Sequence, residues 1–266
     1  MIPAFSLPTL RRPAPAGLLL LLLLLSFPDL SRAQVNTEKL RSLQEEGFSL
    51  TFGGDFSLRS GNSDLFEIGI DSRAEYRSKR HYTFLVGNVR YGERENQAFK
   101  NRSFAHLRYN YSIHPRIVGE VFGQVENDEF TRLQLRSLAG AGLRFRYVET
   151  EVVLLLQGSS LMFEHERLDP DKVKIHPDQV TAARWSNYVN LRLNLSENLA
   201  LINTVYVQPR LDAFGDVRIL DEAALAIDVS KHLTFKTTFN LFYDSRPPDE
   251  VVSTDLSLRN GLVLSL

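Results

Sequence analysis

Residues 233–243 read LTFKTTFNLFY, and apolar and polar side chains alternate along them. The odd positions hold Leu233, Phe235, Thr237, Phe239, Leu241 and Tyr243. The even positions between them hold Thr234, Lys236, Thr238 and Asn240. Alternation with a period of two places the two sets on opposite faces of a β-strand. This stretch therefore predicts a strand with one apolar and one polar face.

The same alternation recurs from residue 48 to the last residue, interrupted by turn residues. It predicts about twelve strands. Their ranges are 48–60, 64–77, 80–92, 101–112, 116–127, 131–147, 150–163, 181–195, 198–210, 217–229, 232–244 and 252–266. Antiparallel neighbours joined by short links predict an all-β protein in which each strand pairs with the next.

The predicted connections differ in length. Every other one is tight, as at 78–79, 113–115, 148–149, 196–197 and 230–231. The longer and more polar ones are 92–100, 164–180, 211–216 and 245–251, although 61–63 and 128–130 on the same side are short. Short turns at one end and long loops at the other are typical of an outer-membrane barrel.

One parity of the strands is rich in charge, and we predict that it lines the lumen of a barrel. Its members are Glu67, Asp71, Arg73, Glu75, Arg77, Arg108, Glu120, Gln124, Arg136, Arg144, Arg146, Arg184, Arg192 and Lys236. A wet lumen tolerates such side chains, whereas a dry core does not. The charged parity thus favours a membrane barrel over a soluble one with an apolar interior.

The opposite parity is aliphatic in mid-strand, as at Ile68, Ile70, Leu107 and Leu143. Near the tight turns it becomes aromatic, which predicts a girdle at one membrane interface. The girdle residues are Tyr76, Tyr109, Tyr111, Phe145 and Tyr147. A second girdle at the loop end is predicted from Phe66, Trp185, Tyr206 and Tyr243.

The first 33 residues have the features of a secretory leader. Arg11 and Arg12 precede the apolar run 17–25, and Ser31-Arg32-Ala33 provides small residues for cleavage after Ala33. The run is too short for a spanning helix, which needs about 20 residues. We therefore predict a removed signal peptide at 1–33, a short periplasmic segment at 34–47 and an outer-membrane barrel at 48–266.

The formal net charge of -1 does not indicate a nucleic-acid partner. The chain has no cysteine, although secreted globular proteins of this size often carry disulfides. A membrane-inserted barrel would supply stability in another way. The alternative is a soluble secreted β-sandwich or ligand-carrying β-barrel, which would expose the aliphatic set to water or bury the charged set.

Several stretches resemble the domain-of-unknown-function 481 family, also described as salt-induced outer-membrane proteins. They are 101–111 (NRSFAHLRYNY), 128–133 (DEFTRL), 138–144 (LAGAGLR), 208–211 (QPRL) and 243–248 (YDSRPP). The resemblance covers nearly the whole chain after the leader. It implies a barrel in the outer membrane of a Gram-negative bacterium, with no activity or catalytic residues to carry over.

Partners are predicted from the same reasoning. We expect outer-membrane lipid and lipopolysaccharide around the barrel, the barrel-assembly machinery during insertion, small solutes as candidate permeants, and no nucleic acid. Arg259, Gly261, Leu264 and Leu266 resemble the terminal insertion signal of outer-membrane barrels, although leucines stand where that signal prefers aromatics.

No catalytic constellation is predicted, so an outer-membrane hydrolase is only an alternative. Ser103 and His106 are close in sequence but have opposite strand parity, so a nucleophilic pair is not expected. The predicted 164–180 loop holds His165, His176 and several carboxylates, but the spacing matches no rigid metal-ligand pattern. We predict no metal site and no cofactor.

The charged lumen allows two functional interpretations. It lines a selective pore, or its charges pair with each other and close the barrel. Both signs occur on one strand, at Asp71, Arg73, Glu75 and Arg77, which favours pairing. The sequence therefore predicts a structural or passively conducting barrel of unknown cargo.

Overall fold

The structure, a computed structural model, describes residues 46–60, 64–230 and 233–264. The predicted leader, nearly all of the predicted periplasmic segment and the final Leu266 lie outside these residues. In the described ranges, no helix is long and apolar enough to cross a membrane.

The described residues form twelve strands and one short 3-10 helix, Glu129–Thr131. The strands are β1 Gly47–Arg59, β2 Leu65–Ser78, β3 His81–Arg94, β4 Gln97–His114, β5 Ile117–Asp128, β6 Leu133–Glu149, β7 Val153–Leu168, β8 Gln179–Ser196, β9 Leu199–Pro209, β10 Val217–Ser230, β11 Leu233–Asp244 and β12 Thr254–Leu264. They make one up-and-down sheet in chain order, and every described ladder is antiparallel. The prediction of an all-β protein with about twelve antiparallel strands is confirmed.

At the end of the sheet that carries the long connections, two loops are shorter than predicted. The predicted 92–100 loop is a turn at Glu95 and Asn96, which have φ values of 51° and 63°. Two central residues with positive φ make the tight turn that suits a twisted hairpin. The predicted 164–180 loop is also shorter, because β7 continues to Leu168 and takes Glu164 and Glu166 into the ladder with β8.

The two faces of the sheet differ in chemistry. On β5 the even positions Glu120, Phe122 and Gln124 are buried, whereas Val121 and Val125 between them are 56% and 49% exposed. The same alternation continues on β7 and β8. Charged and aromatic side chains therefore share the inner face, and aliphatic side chains cover much of the outer one.

Side chains from distant strands meet on the inner face. The Tyr188 hydroxyl on β8 donates to the Glu120 carboxylate on β5 at 3.0 Å. Arg218 on β10 reaches Glu166 on β7 at 2.8 Å. Because each of these pairs is three strands apart, the sheet curves strongly around its inner face.

The two edge strands are more exposed than the centre. Both faces of β1 are largely exposed, and among the described residues no ladder joins β1 to β12. The sheet is thus a curved twelve-stranded layer in the described part of the chain, and its closure into a barrel belongs to the proposal below.

Three loops are joined at the long-loop end. Asp249, between β11 and β12, accepts backbone N–H bonds from Lys174 at 2.5 Å, Ile175 at 2.7 Å and His176 at 3.1 Å. Arg132, after β5, pairs with Glu250 and donates to the Lys172 carbonyl.

An apolar group lies beneath these contacts, formed by Leu133, Leu168 and Val173. The loops therefore form a cap over the inner face at this end, which we call the loop cap.

Candidate functional site

The inner face carries three clusters of charged side chains, and the first lies near the tight turns. Glu75 is 1% exposed and accepts from Arg73 at 2.7 Å and from the Tyr82 hydroxyl. The Arg77 guanidinium lies over the Tyr82 ring, 4.6 Å from its centroid. Each of these cations has an anion or an aromatic face beside it, which offsets the loss of hydration.

The second cluster is centred on Glu120. Its carboxylate lies 3.5 Å from the guanidinium groups of both Arg108 and Arg144, and it also accepts from Tyr188. All four side chains are buried. Because they come from β4, β5, β6 and β8, this single carboxylate connects side chains from four of the twelve strands.

An aromatic stack lies beside the second cluster. The His106 ring lies 5.9 Å from Phe84, 6.2 Å from Phe104 and 6.0 Å from Phe122, measured between centroids. Its Nδ1 is 3.1 Å from the Gln124 amide oxygen. Such a packed stack leaves little open volume at this level of the inner face.

The third cluster lies towards the loop end, and Arg218 is at its centre. Its guanidinium contacts Glu164 at 3.0 Å, Glu166 at 2.8 Å and Asp244 at 2.8 Å. Its five N–H groups form a planar fork that suits several carboxylates at once. This one side chain thereby joins β7, β10 and β11.

Two more arginines extend the third cluster. Arg184 bonds to Glu164 at 2.5 Å and to Asp216 at 2.9 Å. Arg136 bonds to Glu126 at 2.6 Å and also pairs with Glu166. We call this set, with Arg218 and its partners, the loop-end network.

A small cavity lies between the second cluster and the loop-end network. Its volume is about 40 Å³, and residues such as His106, Gln124, Leu138, Tyr188 and Arg218 line it. A water molecule needs at least ~10–15 Å³ of such volume, so the cavity holds a few waters at most. Between these two clusters, side chains therefore fill most of the space over the inner face.

The predicted lumen residues differ in their exposure. Seven of them are buried: Glu75, Arg108, Glu120, Gln124, Arg136, Arg144 and Arg184. Five are half-buried: Glu67, Arg73, Arg77, Arg146 and Lys236. Asp71 and Arg192 are exposed, and Asp71 pairs with Arg90 at 2.5 Å. The structure brings Arg108, Glu120 and Arg144 together in the second cluster and places Arg136 and Arg184 in the loop-end network, whereas Arg146 and Arg192 belong to neither.

Sequence reasoning missed several members of the loop-end network. Glu164 and Glu166 were assigned to a solvated loop, yet they are 3% and 5% exposed on the inner face. Arg218 has the inward parity of Leu220 within a correctly predicted strand, so parity could have identified it. Nothing in the sequence signalled that Asp216, in the β9–β10 loop, turns back to Arg184.

The predicted turn-end girdle residues lie on the outer face. Tyr76, Tyr109, Tyr111 and Tyr147 are 37–59% exposed, and Phe145 is half-buried. Their place at a membrane interface stays a prediction.

The assignment of Tyr206 to the second girdle is wrong. Tyr206 is 5% exposed and packs on Tyr188 at a centroid distance of 5.1 Å. Its even parity on β9 matches that of the buried Thr204 and Gln208, so it belongs to the inner face.

The fold separates Ser103 from His106, the two residues that were considered as a nucleophilic pair. His106 is buried on the inner face, whereas Ser103 bonds to Asn127 on the outer face. Within the described ranges, no group of three or more His, Asp or Glu side chains is arranged to hold a metal. The Ser103–His106 pair, which was not expected from the sequence, is not formed.

Outside the strands, two carboxylates have a lowered pKa. Three backbone N–H bonds, led by those of Ile175 and Lys174, lower the pKa of Asp249 below its ordinary value of 3.8. The hydrogen bond from Arg210 lowers the pKa of Asp212 in the β9–β10 loop. The carboxylates of Asp249 and Asp212 are therefore negatively charged at neutral pH.

The sequence model of the family described as "Protein of unknown function, DUF481" matches residues 50–266. The chain belongs to this family. The match includes all of the residues of the three charged clusters. The family description names no activity, so the DUF481 assignment agrees with the sequence resemblance without adding a substrate.

No protein with a curated description matches the chain. Among solved structures, one similar chain is that of the NanC porin in a rhombohedral crystal form. The TM-score is 0.47 and the sequence identity is 8%, over 82% of this chain and 99% of that chain.

Proposed function

We propose that the protein is a structural outer-membrane β-barrel with its lumen closed by ion pairs across the inner face. The observation that carries this proposal is Arg218, which reaches from β10 to Glu164 and Glu166 on β7. An open pore would leave such side chains in water on their own walls. Here Arg218 meets Glu164 and Glu166 across the inner face of the curved sheet.

The membrane location is supported by the outer face. Val89, Val121 and Val189 are each about half exposed in the middle of their strands. Water would make this surface costly, whereas hydrocarbon would not. The family resemblance to outer-membrane proteins favours the same location.

Closure of the sheet follows from that location. A strand edge in lipid leaves backbone N–H and C=O groups without partners, so only closed barrels are stable there. In the proposal β12 therefore pairs with β1, and the small inward residues of β1, such as Ser49, Thr51 and Gly53, complete the wall.

Planar-bilayer recording tests the closed lumen. We expect the purified native protein to show no resolved conductance steps. A charge-balanced variant, Arg136→Ser, Glu164→Ser, Glu166→Ser and Arg218→Ser, removes four central side chains of the loop-end network and should produce them. The matched control is Arg146→Ser with Glu149→Ser, a pair at the tight-turn end of β6 whose side chains are 36% and 56% exposed, and it should leave the protein silent.

Large steps from the native protein, unchanged in the quadruple variant, would rule out the ion-pair plug. Location is tested separately by fractionation. Recovery of the native protein in the soluble periplasmic fraction would contradict the membrane barrel itself.

A further inference from the structure

The outer face is not uniformly apolar. Across β7 to β10 it carries Gln157, Ser159, Asn187, Asn203 and Asp221, all half-buried. Their strand parity is opposite to that of the buried Ser160, Tyr188, Thr204 and Glu222. We call these five residues the outer polar patch.

The sheet register places the patch in one area. Gln157 pairs with Val189, Val189 with Val205, and Val205 with Asp221, so these four residues form one row across four strands. Ser159 lies directly opposite Asn187. With neighbouring strands about 4.8 Å apart, the patch is roughly 15 Å wide.

Asp221 is the most unusual member of the patch. Its ladder partners are Val205 and Leu241, and Ile219 and Ala223 flank it on the same face. Asn203 donates to its Oδ1 at 2.6 Å. A carboxylate among aliphatic side chains on a lipid-facing surface is costly, even with one such bond.

The other members also carry hydrogen-bonding capacity. Trp185 donates to Ser159 at 2.8 Å, and Tyr147 donates to Gln157 at 3.2 Å. Each side-chain amide has two N–H donors and a carbonyl acceptor, and each hydroxyl both donates and accepts. Lipid acyl chains offer no partner for any of these groups.

We propose that the outer polar patch is the contact between two copies of this chain in the membrane. Amides and hydroxyls are complementary to themselves, so the same patch on a second copy supplies donors where this one has acceptors. A two-fold axis along the membrane normal brings the patches together in this way. The Asp221 carboxylate then accepts from amide or hydroxyl groups of the partner.

This contact rests on the proposed membrane barrel, and it is independent of whether the lumen is closed. It is centred on β8 and β9. It leaves the aliphatic surface of β3, where Val89 lies, facing lipid.

Single-cysteine cross-linking tests the contact, because the native chain has no cysteine. Val189→Cys places a thiol in the centre of the patch without removing a polar group. Val89→Cys is the matched control, since both valines face outward and are 45% and 52% exposed. Both variants are folded into phosphatidylcholine vesicles at low protein density and treated with a short membrane-permeant bifunctional maleimide.

We expect a cross-linked species of twice the chain mass from Val189→Cys and none from Val89→Cys. Adding Asn203→Leu and Asp221→Leu to Val189→Cys should abolish it, because the patch then loses its carboxylate and the amide bonded to that carboxylate. Equal yields from the two single-cysteine variants, or no dimer from either, would overturn the contact.

Heat-dependent gel mobility of each variant is recorded first. A folded but monomeric Val189→Cys protein contradicts only the dimer. If native and variant proteins all fail to insert and remain soluble without lipid, the membrane barrel fails instead.

Discussion

Glu166 shows how single residues hold the inner face together. It is 5% exposed, and it accepts from Arg136 on the neighbouring strand and from Arg218 three strands away. Two guanidinium groups thus share this carboxylate, in addition to the other carboxylates that each of them contacts. A buried ion pair adds little net stability when it forms, but breaking it leaves an uncompensated charge.

Replacing Glu166 with alanine should therefore destabilise the fold strongly. We expect Glu166→Ala to lower the free energy of unfolding by about 3–5 kcal/mol, since both arginines lose a partner. Urea unfolding in lipid vesicles measures the change. The control is Glu149→Ala, which removes an exposed ion pair with Arg146 and should cost less than about 1 kcal/mol. Equal small losses for both variants would show that the loop-end network is not a coupled unit.

At the scale of elements, the sequence predicted the strands well and the loop end poorly. Period-two alternation is local, so it placed twelve strands within a few residues of their observed bounds. It failed at Glu95 and Asn96, where polar residues form a two-residue turn instead of a loop. It also failed at Glu164 and Glu166, because their burial depends on arginines that are 20 to 54 residues away in the chain.

Parity shows which face a side chain occupies, but it does not show what that side chain meets. Arg136 and Arg184 were predicted to line the lumen, but their partners were not predicted. Glu166 lies opposite Arg136 in the β6–β7 ladder, and Asp216 turns back from the β9–β10 loop to Arg184. Whether the charged side chains line an open pore or pair with each other and close it therefore depends on tertiary contacts. The alternation of polar and apolar residues does not show those contacts.

The loop cap is sensitive to pH through Asp249. The lowered pKa of Asp249 means that its bonds to the 174–176 backbone stabilise the cap above its ordinary pKa of 3.8 and are lost as pH falls through the lower folded value. We expect the amides of Lys174, Ile175 and His176 to exchange hydrogen faster, after correction for intrinsic rates, as the carboxyl is protonated.

Asp249→Ala should give the same fast exchange at neutral pH, while Asp212→Ala leaves these amides protected. Hydrogen exchange followed by mass spectrometry measures both variants. Protection of residues 174–176 that persists in Asp249→Ala would show that other contacts hold the cap.

The whole molecule combines these features into one arrangement, with charge inside and aliphatic surface outside. In the proposed barrel, a single layer of backbone separates the side that faces lipid from the side that faces the lumen. A shift of one residue in any strand would exchange the two faces. The arrangement therefore predicts, for each residue of a strand, whether its side chain meets lipid or the inner face.

A nitroxide scan of β5, residues 117–128, tests this predicted alternation of environments most directly. Single cysteines along the strand are spin-labelled in vesicles, and their collision rates with oxygen and with a water-soluble nickel chelate are compared. We predict an oscillation with period two, in which Val121, Gly123 and Val125 collide freely with oxygen and little with the chelate. Glu120, Phe122 and Gln124 should be shielded from both reagents. Free collision of the chelate with Val121 and Val125 would contradict the account, because it would place the aliphatic face in water.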